Sequence, residues 1–470
     1  MKMLKFLFLL AVLVTVCGCE MKSALLKHEL PLQDEGEVFL YVRSFPQEAE
    51  RLKFNLDQIS ALKSDSTEYP LFLALTELDG SVMNRQISLA SGHLPPGSYT
   101  GLSIKVSKAS LKREEGEADL LVPDQPVKIN FPFTITAKKA IVISMSFRYS
   151  ESIREEVKFV PFFSLAIPGR FPITLAGYVT NYGSHSITVF DKRSGLVASV
   201  IETGSGPSGI VLNKTSRKAF VALTEEDSID VIDIDSESSI GRVRLNKGDS
   251  PRELVLTPNG ASLMVVNSGS DSVSVIDPYS HVEIKRLNVG NGPVSIILDR
   301  TGRKAYVFNS LSNTISVIDV PTRSVAATIT TEQGPLRGQF NTRGDKLFVF
   351  YERTPYLTVF DPFTFNVIKR IYVGMGVSAI KVDNRTDMIY LGRQYDDFIE
   401  VYDPFSLMPG EIFNVGGGVN YMTIDSEGNN LCLVLPEKKK LVIVNLISKR
   451  IVAEMDVGND PFWVTMVEER

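Results

Sequence analysis

Six aspartates stand at a nearly constant spacing in the second half of the chain, and grouped carboxylates could bind a metal ion or transfer protons. The set is Asp191, Asp233, Asp277, Asp319, Asp361 and Asp403, with Asn445 in the next place. The steps are 42, 44, 42, 42, 42 and 42 residues. Equivalent positions in successive repeats lie far apart in a folded repeat protein, so these carboxylates would not form one site. We therefore interpret each carboxylate as a hydrogen-bond acceptor for the backbone of the following turn.

Other chemistry-bearing residues are sparse. Cys432 lies in the apolar run from Leu431 to Leu435, and no histidine stands at a matching place in the repeat, so we expect a small buried residue rather than a nucleophile. The four histidines are His28, His93, His185 and His281. The sequence has no Cys-x-x-Cys-His motif, no P-loop and no dinucleotide fingerprint. We therefore expect no catalytic residues, no metal site and no cofactor.

The spacing defines a repeat. A second series steps by 44, 42, 42, 42, 42 and 42 residues, so both series contain the same insertion of two residues. Its members are Pro207, Pro251, Pro293, Pro335, Val377, Val419 and Pro461. A period near 42 made of short apolar strands and turn residues is typical of propeller blades of four strands. For one repeat, the predicted strands are Pro251–Thr257, Ser262–Asn267, Ser272–Asp277 and Glu283–Val289.

The two ends of the repeat region complement each other. The first repeat starts with a second strand at Gly177–Asn181, and the last strand, Pro461–Val467, has nothing after it to pair with. These fragments would complete one blade, which closes the ring and removes its exposed edges. We predict an all-β chain with a closed, seven-bladed β-propeller over residues 172–470.

The repeats also resemble a known family. Tyr178-Val179-Thr180-Asn181, with the later Ile-x-Val-Ile-Asp and Gly-x-x-Pro elements, is similar to the YVTN-type propeller repeat over residues 172–470. The later copies depart from this pattern at a few positions. Those positions are Val377, Val419, Asn445 and Arg393. The resemblance implies the same propeller fold.

The N-terminus reads as a targeting segment. Lys2 and Lys5 precede an apolar run to Val16 that is too short to span a bilayer. The following Cys17-Gly18-Cys19 resembles a bacterial lipobox, which implies cleavage after residue 18 and a lipid anchor on Cys19. An ordinary secretory signal cleaved nearby is the alternative. Residues 19–34 read as a tether, and we expect an envelope location, at the outer membrane on its periplasmic or outer surface.

Residues 35–168 lack the repeat. Alternating apolar residues around Val38–Val42, Leu52–Leu56 and Leu102–Val106 predict half-buried strands of a small antiparallel β-sandwich. The stretch Val127–Thr136 and the stretch Lys139–Arg148 are predicted to form an antiparallel pair. The segment from Leu94 onward resembles an uncharacterised sandwich domain of bacterial lipoproteins, with no known chemistry, and residues 161–172 are predicted to be a linker.

Propeller geometry indicates a binding face. The loops that enter each blade and those between its second and third strands share one face around the central channel. The residues predicted to line this rim are Arg252, Arg337, Tyr351, Arg353, Arg393, Tyr395, Asp396, Asp397, Tyr421, Phe462 and Trp463. Exposed Trp, Tyr and Arg dominate binding hot spots. The alternative is that Trp463, the chain's only tryptophan, packs beside the closing strand.

The charge of the chain and its few chemistry-bearing residues limit the functions that we predict. A net charge of −5 and a pI near 5.7 give no footprint for nucleic acid. We predict a non-catalytic, monomeric, lipid-anchored envelope protein whose propeller binds a protein, peptide or glycan. The alternatives are a lactonase-like or lyase-like propeller enzyme and a protein that binds a redox cofactor, and both rest on fold analogy alone.

Overall fold

A computed structural model describes residues 34–114, 116–155, 157–425 and 427–467, and within them the chain is almost entirely β-structure. The α-helix α1 is one turn at Tyr149–Ser152, and short 3-10 helices lie at Gln47–Ala49, Ile173–Leu175 and Tyr182–Ser184. The prediction of an all-β chain is confirmed. The predicted signal peptide, the lipid-bearing Cys19 and most of the predicted tether lie outside the described residues.

Two sheets form the N-terminal part. The strands are β1 (Gly36–Val42), β2 (Leu52–Lys63), β3 (Glu68–Pro70), β4 (Phe72–Leu73), β5 (Glu77–Asp79), β6 (Ile87–Leu94), β7 (Gly97–Arg113), β8 (Gly116–Leu120), β9 (Val127–Ile135), β10 (Ala140–Phe147), β11 (Ile153–Arg154), β12 (Lys158–Phe159) and β13 (Phe163–Ala166). One sheet has the order β13-β10-β1-β6-β4. In the other, β3-β2-β7-β8 is extended by β5 on β2 and by β9 on β7, and β11 pairs with β12 separately. Apolar residues of both sheets share one core.

The predicted pairing of Val127–Thr136 with Lys139–Arg148 is wrong. Strand β9 pairs with β7, whereas β10 pairs with β1 in parallel and with β13 antiparallel. Between them the chain crosses from one sheet to the other, with Lys138 at a positive φ of 58°. The two strands differ in burial. In β9, covered and exposed residues alternate, whereas β10 is covered on both faces.

The predicted linker is also shorter than expected. Phe163–Ala166, inside the proposed linker of residues 161–172, forms β13 at the edge of the first sheet. Phe163 is buried in the N-terminal core, where its ring lies 5.3 Å from that of Phe147. A stretch that contains prolines at both ends therefore still contributes an edge strand, as proline allows.

Seven four-stranded antiparallel sheets follow, here numbered sheet 1 to sheet 7. Sheet 1 contains β14 (Ala176–Asn181), β15 (Ser186–Asp191) and β16 (Leu196–Glu202). Sheet 2 is β17 (Pro207–Asn213), β18 (Lys218–Leu223), β19 (Ser228–Asp233) and β20 (Ser238–Arg244). Sheet 3 is β21 (Pro251–Leu256), β22 (Leu263–Asn267), β23 (Ser272–Asp277) and β24 (Val282–Asn288). Sheet 4 is β25 (Pro293–Leu298), β26 (Lys304–Asn309), β27 (Thr314–Asp319) and β28 (Ser324–Thr330). Sheet 5 is β29 (Pro335–Phe340), β30 (Leu347–Tyr351), β31 (Tyr356–Phe360) and β32 (Val367–Tyr372). Sheet 6 is β33 (Val377–Val382), β34 (Ile389–Arg393), β35 (Phe398–Tyr402) and β36 (Pro409–Asn414). Sheet 7 is β37 (Tyr421–Ile424), β38 (Asn430–Leu435), β39 (Lys440–Asn445) and β40 (Ile451–Asp456), and the last strand is β41 (Pro461–Met466).

Strand β41 completes sheet 1. It pairs antiparallel with β14, with Val464 opposite Val179 and Met466 opposite Gly177, so the order is β16-β15-β14-β41. The predicted pairing of the two ends is therefore present. The first strands of the sheets contact one another in chain order, and β41 contacts both β37 and β17, which makes a closed ring.

Each neighbouring pair of sheets shares a buried apolar cluster, and the seven clusters follow one another around the ring. The cluster between sheets 7 and 1 also contains Tyr41 and Val142 from the N-terminal sheets. Cys432 lies in this cluster and is 1% exposed, so its predicted burial is confirmed. The second strands of the sheets, such as β18 and β22, are covered on both faces, which explains why their sequences are almost continuously apolar.

Candidate functional site

The first strands of the sheets surround a central cavity of about 950 Å³. The second residue after each member of the Pro207 series stands at the same level of the ring. In chain order these residues are Gly209, Glu253, Ser295, Arg337, Ala379, Tyr421 and Trp463. The four large side chains among them, Glu253, Arg337, Tyr421 and Trp463, line the cavity and are called the floor cluster below.

An ion pair anchors the floor cluster. The Arg337 guanidinium contacts the Glu253 carboxylate, and its Nε donates to Ser295 Oγ at 3.4 Å. The backbone N–H of Ile296 donates to the other carboxylate oxygen at 3.3 Å. Glu253 is only 1% exposed, so its charge depends on these partners for compensation.

Two aromatic rings complete the cluster. Tyr421 and Trp463 stack with ring centroids 3.8 Å apart and an interplanar angle of 21°. The Arg337 guanidinium carbon lies 4.9 Å from the Tyr421 centroid and 5.0 Å from that of Trp463. Arg337 therefore has a carboxylate and two ring faces as neighbours, an arrangement that suits its planar cation.

The cavity wall is apolar on one side and polar on the other. The residues two places beyond Gly209, Glu253 and their equivalents belong to successive sheets, and those that line the cavity divide in the same way. The apolar wall residues are Val211, Val255 and Ile297, and the polar ones are Gln339, Lys381 and Thr465. A ligand in the cavity would thus meet both an apolar surface and hydrogen-bonding groups, as in most small-molecule sites.

The mouth of the cavity lies at the turns that join the first and second strands of the sheets. Lys214 and Arg300 belong to these turns and are exposed. Lys381 lies deeper and is 7% exposed. Among the described residues that line the cavity, Glu253 is the one carboxylate, and Arg337 already contacts it. The lining is therefore positively charged in sum.

Arg252 and Phe462 lie on the other side of the floor cluster. The Arg252 guanidinium carbon is 5.5 Å from the Phe462 ring centroid, and Tyr182 packs at 6.4 Å on the same ring. Tyr182 begins the turn between the second and third strands of sheet 1, at the end of the ring opposite the cavity mouth. The packed surroundings lower the pKa of Arg252 by desolvation, to which the positive charge of Arg337 adds.

Some predicted rim residues have structural partners instead. Tyr351 is 2% exposed inside the cluster between sheets 4 and 5, so its placement on an exposed rim is wrong. Arg393 donates to Glu400 Oε1 at 2.6 Å and lies 3.7 Å from Asp396. Only 12% of the Arg393 side chain is exposed, and it ties its strand to the neighbouring one within sheet 6.

Three further predicted rim residues stay on the outer surface. Tyr395 is 77% exposed, Arg353 has 52% of its side chain exposed beside Glu352, and Asp397 is exposed. None of the three lines the cavity. Of the predicted set, Arg337, Tyr421 and Trp463 line the cavity, and they lie inside the channel rather than on the rim.

Sequence reasoning missed Glu253, Lys381, Gln339 and the mouth residues Lys214 and Arg300. The sequence does indicate Glu253, because it occupies the same position in its repeat as Arg337, Tyr421 and Trp463. A comparison of this position in all seven repeats shows one acidic residue, one arginine and two aromatic residues at the same level of the ring. Lys381 stands two places beyond Ala379 and is found by the same comparison.

Two negative findings concern the described residues alone. No three histidine, cysteine, aspartate or glutamate side chains there are grouped closely enough to hold a metal ion. In that same part of the chain, no helix has the length and apolar character needed to cross a membrane.

A known protein family matches part of the ring of sheets. Residues 171–384 match the family model of the YNCE-like β-propeller. This match supports the predicted resemblance to YVTN-type propellers. No curated protein sequence matches the chain.

Solved structures share the fold at low sequence identity. Hydrazine synthase from Kuenenia stuttgartiensis is 15% identical, with a TM-score of 0.53 over 57% of this chain and 92% of its own. The dihydro-heme d1 dehydrogenase NirN is 13% identical, with a TM-score of 0.51 over 64% and 77%. A functionally unknown protein from Desulfotomaculum acetoxidans is 13% identical, with a TM-score of 0.53 over 62% and 98%. Such similarity extends to the fold and not to the activity.

Proposed function

We propose that this chain, which carries a YNCE-like β-propeller, is a non-catalytic binding protein of the bacterial cell envelope that holds its ligand in the central cavity. In this proposal the seven sheets are the blades of one propeller and the two N-terminal sheets form a β-sandwich. A lipid on Cys19 would anchor the chain, and the sandwich would connect that anchor to the propeller.

One observation carries the proposal. The floor cluster lines one end of the cavity and the exposed turns of Lys214 and Arg300 line the other, and the cavity volume lies within the range of small-molecule sites. The ion pair and the ring stack fix the floor side chains before any ligand arrives. Preorganisation of this kind lowers the entropic cost of binding.

The lining indicates the ligand chemistry. Lys381, Arg300 and Lys214 line the cavity, whereas the Glu253 carboxylate is neutralised by Arg337. A negatively charged group would therefore be favoured near Lys381, and an apolar body would pack on the wall of Val255 and its neighbours. A small organic anion fits, as does the acidic end of a peptide or glycan.

Binding is favoured over catalysis by the state of Glu253. An acid or base catalyst must reach the substrate and exchange a proton with it. Glu253 instead accepts hydrogen bonds from Arg337 and from the Ile296 N–H, and it is covered by its neighbours. Among the described residues, the cavity lining thus has groups that orient a ligand but no carboxylate outside the ion pair of Glu253 and Arg337.

The chain's only tryptophan allows a direct test, because Trp463 lies in the cavity floor. Titration with anilinonaphthalene sulfonate, an aromatic anion, should quench Trp463 emission in a saturable way. Lys381→Met should weaken this binding about ten- to a hundredfold, since a charged hydrogen bond contributes about 1.5–3 kcal/mol.

Lys438→Met is the matched control, because Lys438 is exposed on the turn between the second and third strands of sheet 7. It should bind the probe as the wild type does. Absence of saturable quenching, or equal affinity of the Lys381→Met variant and the wild type, would show that the cavity is not an anion site.

A further inference from the structure

Large apolar side chains project from one end of the ring at equivalent positions. The position is the second residue after each member of the Asp191 series, at the tip of the turn between the third and fourth strands. Sheets 3, 5, 6 and 7 hold Tyr279, Phe363, Phe405 and Ile447 there, which are 61%, 73%, 90% and 82% exposed. Sheet 4 has the exposed Pro321 at this place. These five residues are called the apolar tips below.

The aspartate series holds the tips in place. In sheets 3, 5 and 6 the carboxylate at the end of the third strand accepts the backbone N–H of the tip residue. The N–O distances are 2.8 Å for Tyr279, 2.8 Å for Phe363 and 3.0 Å for Phe405. Asn445 does the same for Ile447 at 3.1 Å. Each turn is thus fixed with a large apolar side chain directed into solvent.

The start of the fourth strand extends the same surface. The exposed apolar residues there are Val282, Val325, Val367, Ile368, Met408, Ile451 and Val452, which range from 38% to 63% exposed. They belong to the same five consecutive sheets as the apolar tips. In sheets 1 and 2 the tip position holds the charged Arg193 and Asp235 instead. The apolar tips therefore form an arc over five of the seven sheets.

Charge distinguishes the two ends of the ring. The turns at the opposite end are strongly acidic, with few basic residues. Their acidic residues are Glu225, Glu226, Asp227, Asp249, Asp271, Glu332, Glu352, Asp396, Asp397, Glu437 and Asp460. At the end with the apolar tips, acidic residues are balanced by cations. These include Arg300, Arg303, Arg323, Arg343, Lys346, Arg385, Lys449 and Arg450.

We propose that the apolar tips dock the ring on an anionic lipid bilayer, with the acidic end turned away from it. Side chains that project singly from turn tips can each enter the interfacial layer of a membrane, where aromatic rings are favoured. The balanced charge at the end with the apolar tips does not repel anionic headgroups, whereas the acidic end does. The cavity mouth lies at the same end and would face the membrane, whether or not a ligand occupies it.

Depth-dependent quenching tests the docking with the full chain. In a Trp463→Phe background, Phe405→Trp places the only indole on an apolar tip, and Tyr395→Trp places it on the acidic end. Both variants are mixed with vesicles of phosphatidylethanolamine and phosphatidylglycerol that carry brominated acyl chains. We expect several-fold stronger quenching for Phe405→Trp than for Tyr395→Trp. Phe363→Trp with Trp463 retained repeats the test in case the background variant does not fold.

Equal quenching of the two indoles, or none, overturns the proposal, since a lipid anchor alone would not orient the ring. A blue shift of the Phe405→Trp emission without vesicles that grows with protein concentration would instead assign the tips to contact between copies of this chain. A blue shift only after addition of envelope proteins would assign them to a protein partner. Both outcomes contradict membrane docking.

Discussion

At the scale of single residues, Arg337 connects the ion pair of the floor cluster to its two aromatic rings. It contacts a buried carboxylate and two stacked rings in the floor of the cavity. Removal of one partner of a buried ion pair leaves the other charge uncompensated, which costs more than the pair itself contributes. The floor cluster is thus both a possible ligand surface and a point of stability.

Arg337→Met should lower the free energy of unfolding by about 3–5 kcal/mol, because Glu253 is left buried and charged. Adding Glu253→Gln to this variant should restore much of the loss. Urea denaturation of the single and double variants measures both effects. If the double variant lost the sum of the two single effects, the ion pair would not couple the residues.

The aspartates at the ends of the third strands act through turn geometry rather than catalysis. Backbone N–H groups donate to Asp361 and Asp403 and hold the pKa of each carboxyl below its usual value of 3.8. A lowered pKa in the folded state gives stability that is present above the unfolded pKa and is lost as the pH falls. Asn445 makes the same backbone contacts without a titratable group.

Asp361→Asn combined with Asp403→Asn should therefore leave the melting temperature at neutral pH nearly unchanged and reduce its loss below about pH 4. Melting curves of wild type and variant over this pH range make the comparison. Asp361→Ala combined with Asp403→Ala is the control, since it removes the acceptors and should destabilise at neutral pH. An unchanged acid dependence in the Asn variant would contradict the assignment.

At the scale of strands, the repeat made most of the ring predictable. The predicted strands of sheet 3 agree with the structure to within one residue at each end, as the comparison of Glu283–Val289 with Val282–Asn288 illustrates. The closing strand was predictable because a missing first strand and an unpaired last strand stood at opposite ends of the repeats. A repeated sequence allows strand bounds to be predicted this closely because each of the seven copies gives independent evidence for the same strand pattern.

The N-terminal sheets show where this reasoning stops. β9 and β10 are adjacent in sequence and have strand-like patterns, yet each pairs with a distant strand. Pairing there depends on which faces are covered by other sheets, and a local pattern does not contain that information. The rim prediction failed for Tyr351 for the same reason, since the neighbouring sheet covers it.

Removal of residues 459–470, and with them β41, should abolish the cooperative unfolding transition. Sheet 1 would lose its innermost strand, and Val464, Met466 and Trp463 would no longer fill the core and the cavity floor. Circular dichroism during heating measures the transition. A chain that ends at Val467 keeps all of β41 and is the control, and a sharp transition in the shorter chain would exclude the closing role of this strand.

At the scale of the whole molecule, the N-terminal sheets pack against both sides of the closure. Gln86 accepts the backbone N–H of Val197 in sheet 1 at 2.7 Å. Arg85 donates to Asp456 of sheet 7 at 2.9 Å, and the Ser88 N–H donates to the same carboxylate at 3.0 Å. The N-terminal part therefore bridges the first and last sheets of the ring.

The carboxyl group of Glu37, in strand β1 of the N-terminal sheets, makes the stability of the protein depend on pH. Burial raises the pKa of Glu37 to about 8, and the negative charge of Glu202 in sheet 1 adds to the effect. The folded protein then keeps a proton that the unfolded chain has released, so stability falls as the pH rises from about 4.5 towards 8. Desolvation raises the pKa of Glu202 in the same direction.

Glu37→Gln should flatten this dependence and raise the melting temperature at pH 8 by a few degrees, with little effect at pH 5. Calorimetry across this range provides the measurement. Glu35→Gln is a control on the same stretch of chain. A variant whose melting temperature followed the wild-type curve would show that Glu37 is ionised in the folded protein.

The pairing of β14 with β41 also sets an order in time. During the proposed export to the envelope, β14 emerges long before β41, because the partner strands stand at opposite ends of the ring sequence. Sheets 2 to 7 contain only strands that follow one another closely, so each can assemble as it emerges. Sheet 1 must wait with an open inner edge until the last strand arrives, and a chaperone that shields such an edge would act at that stage.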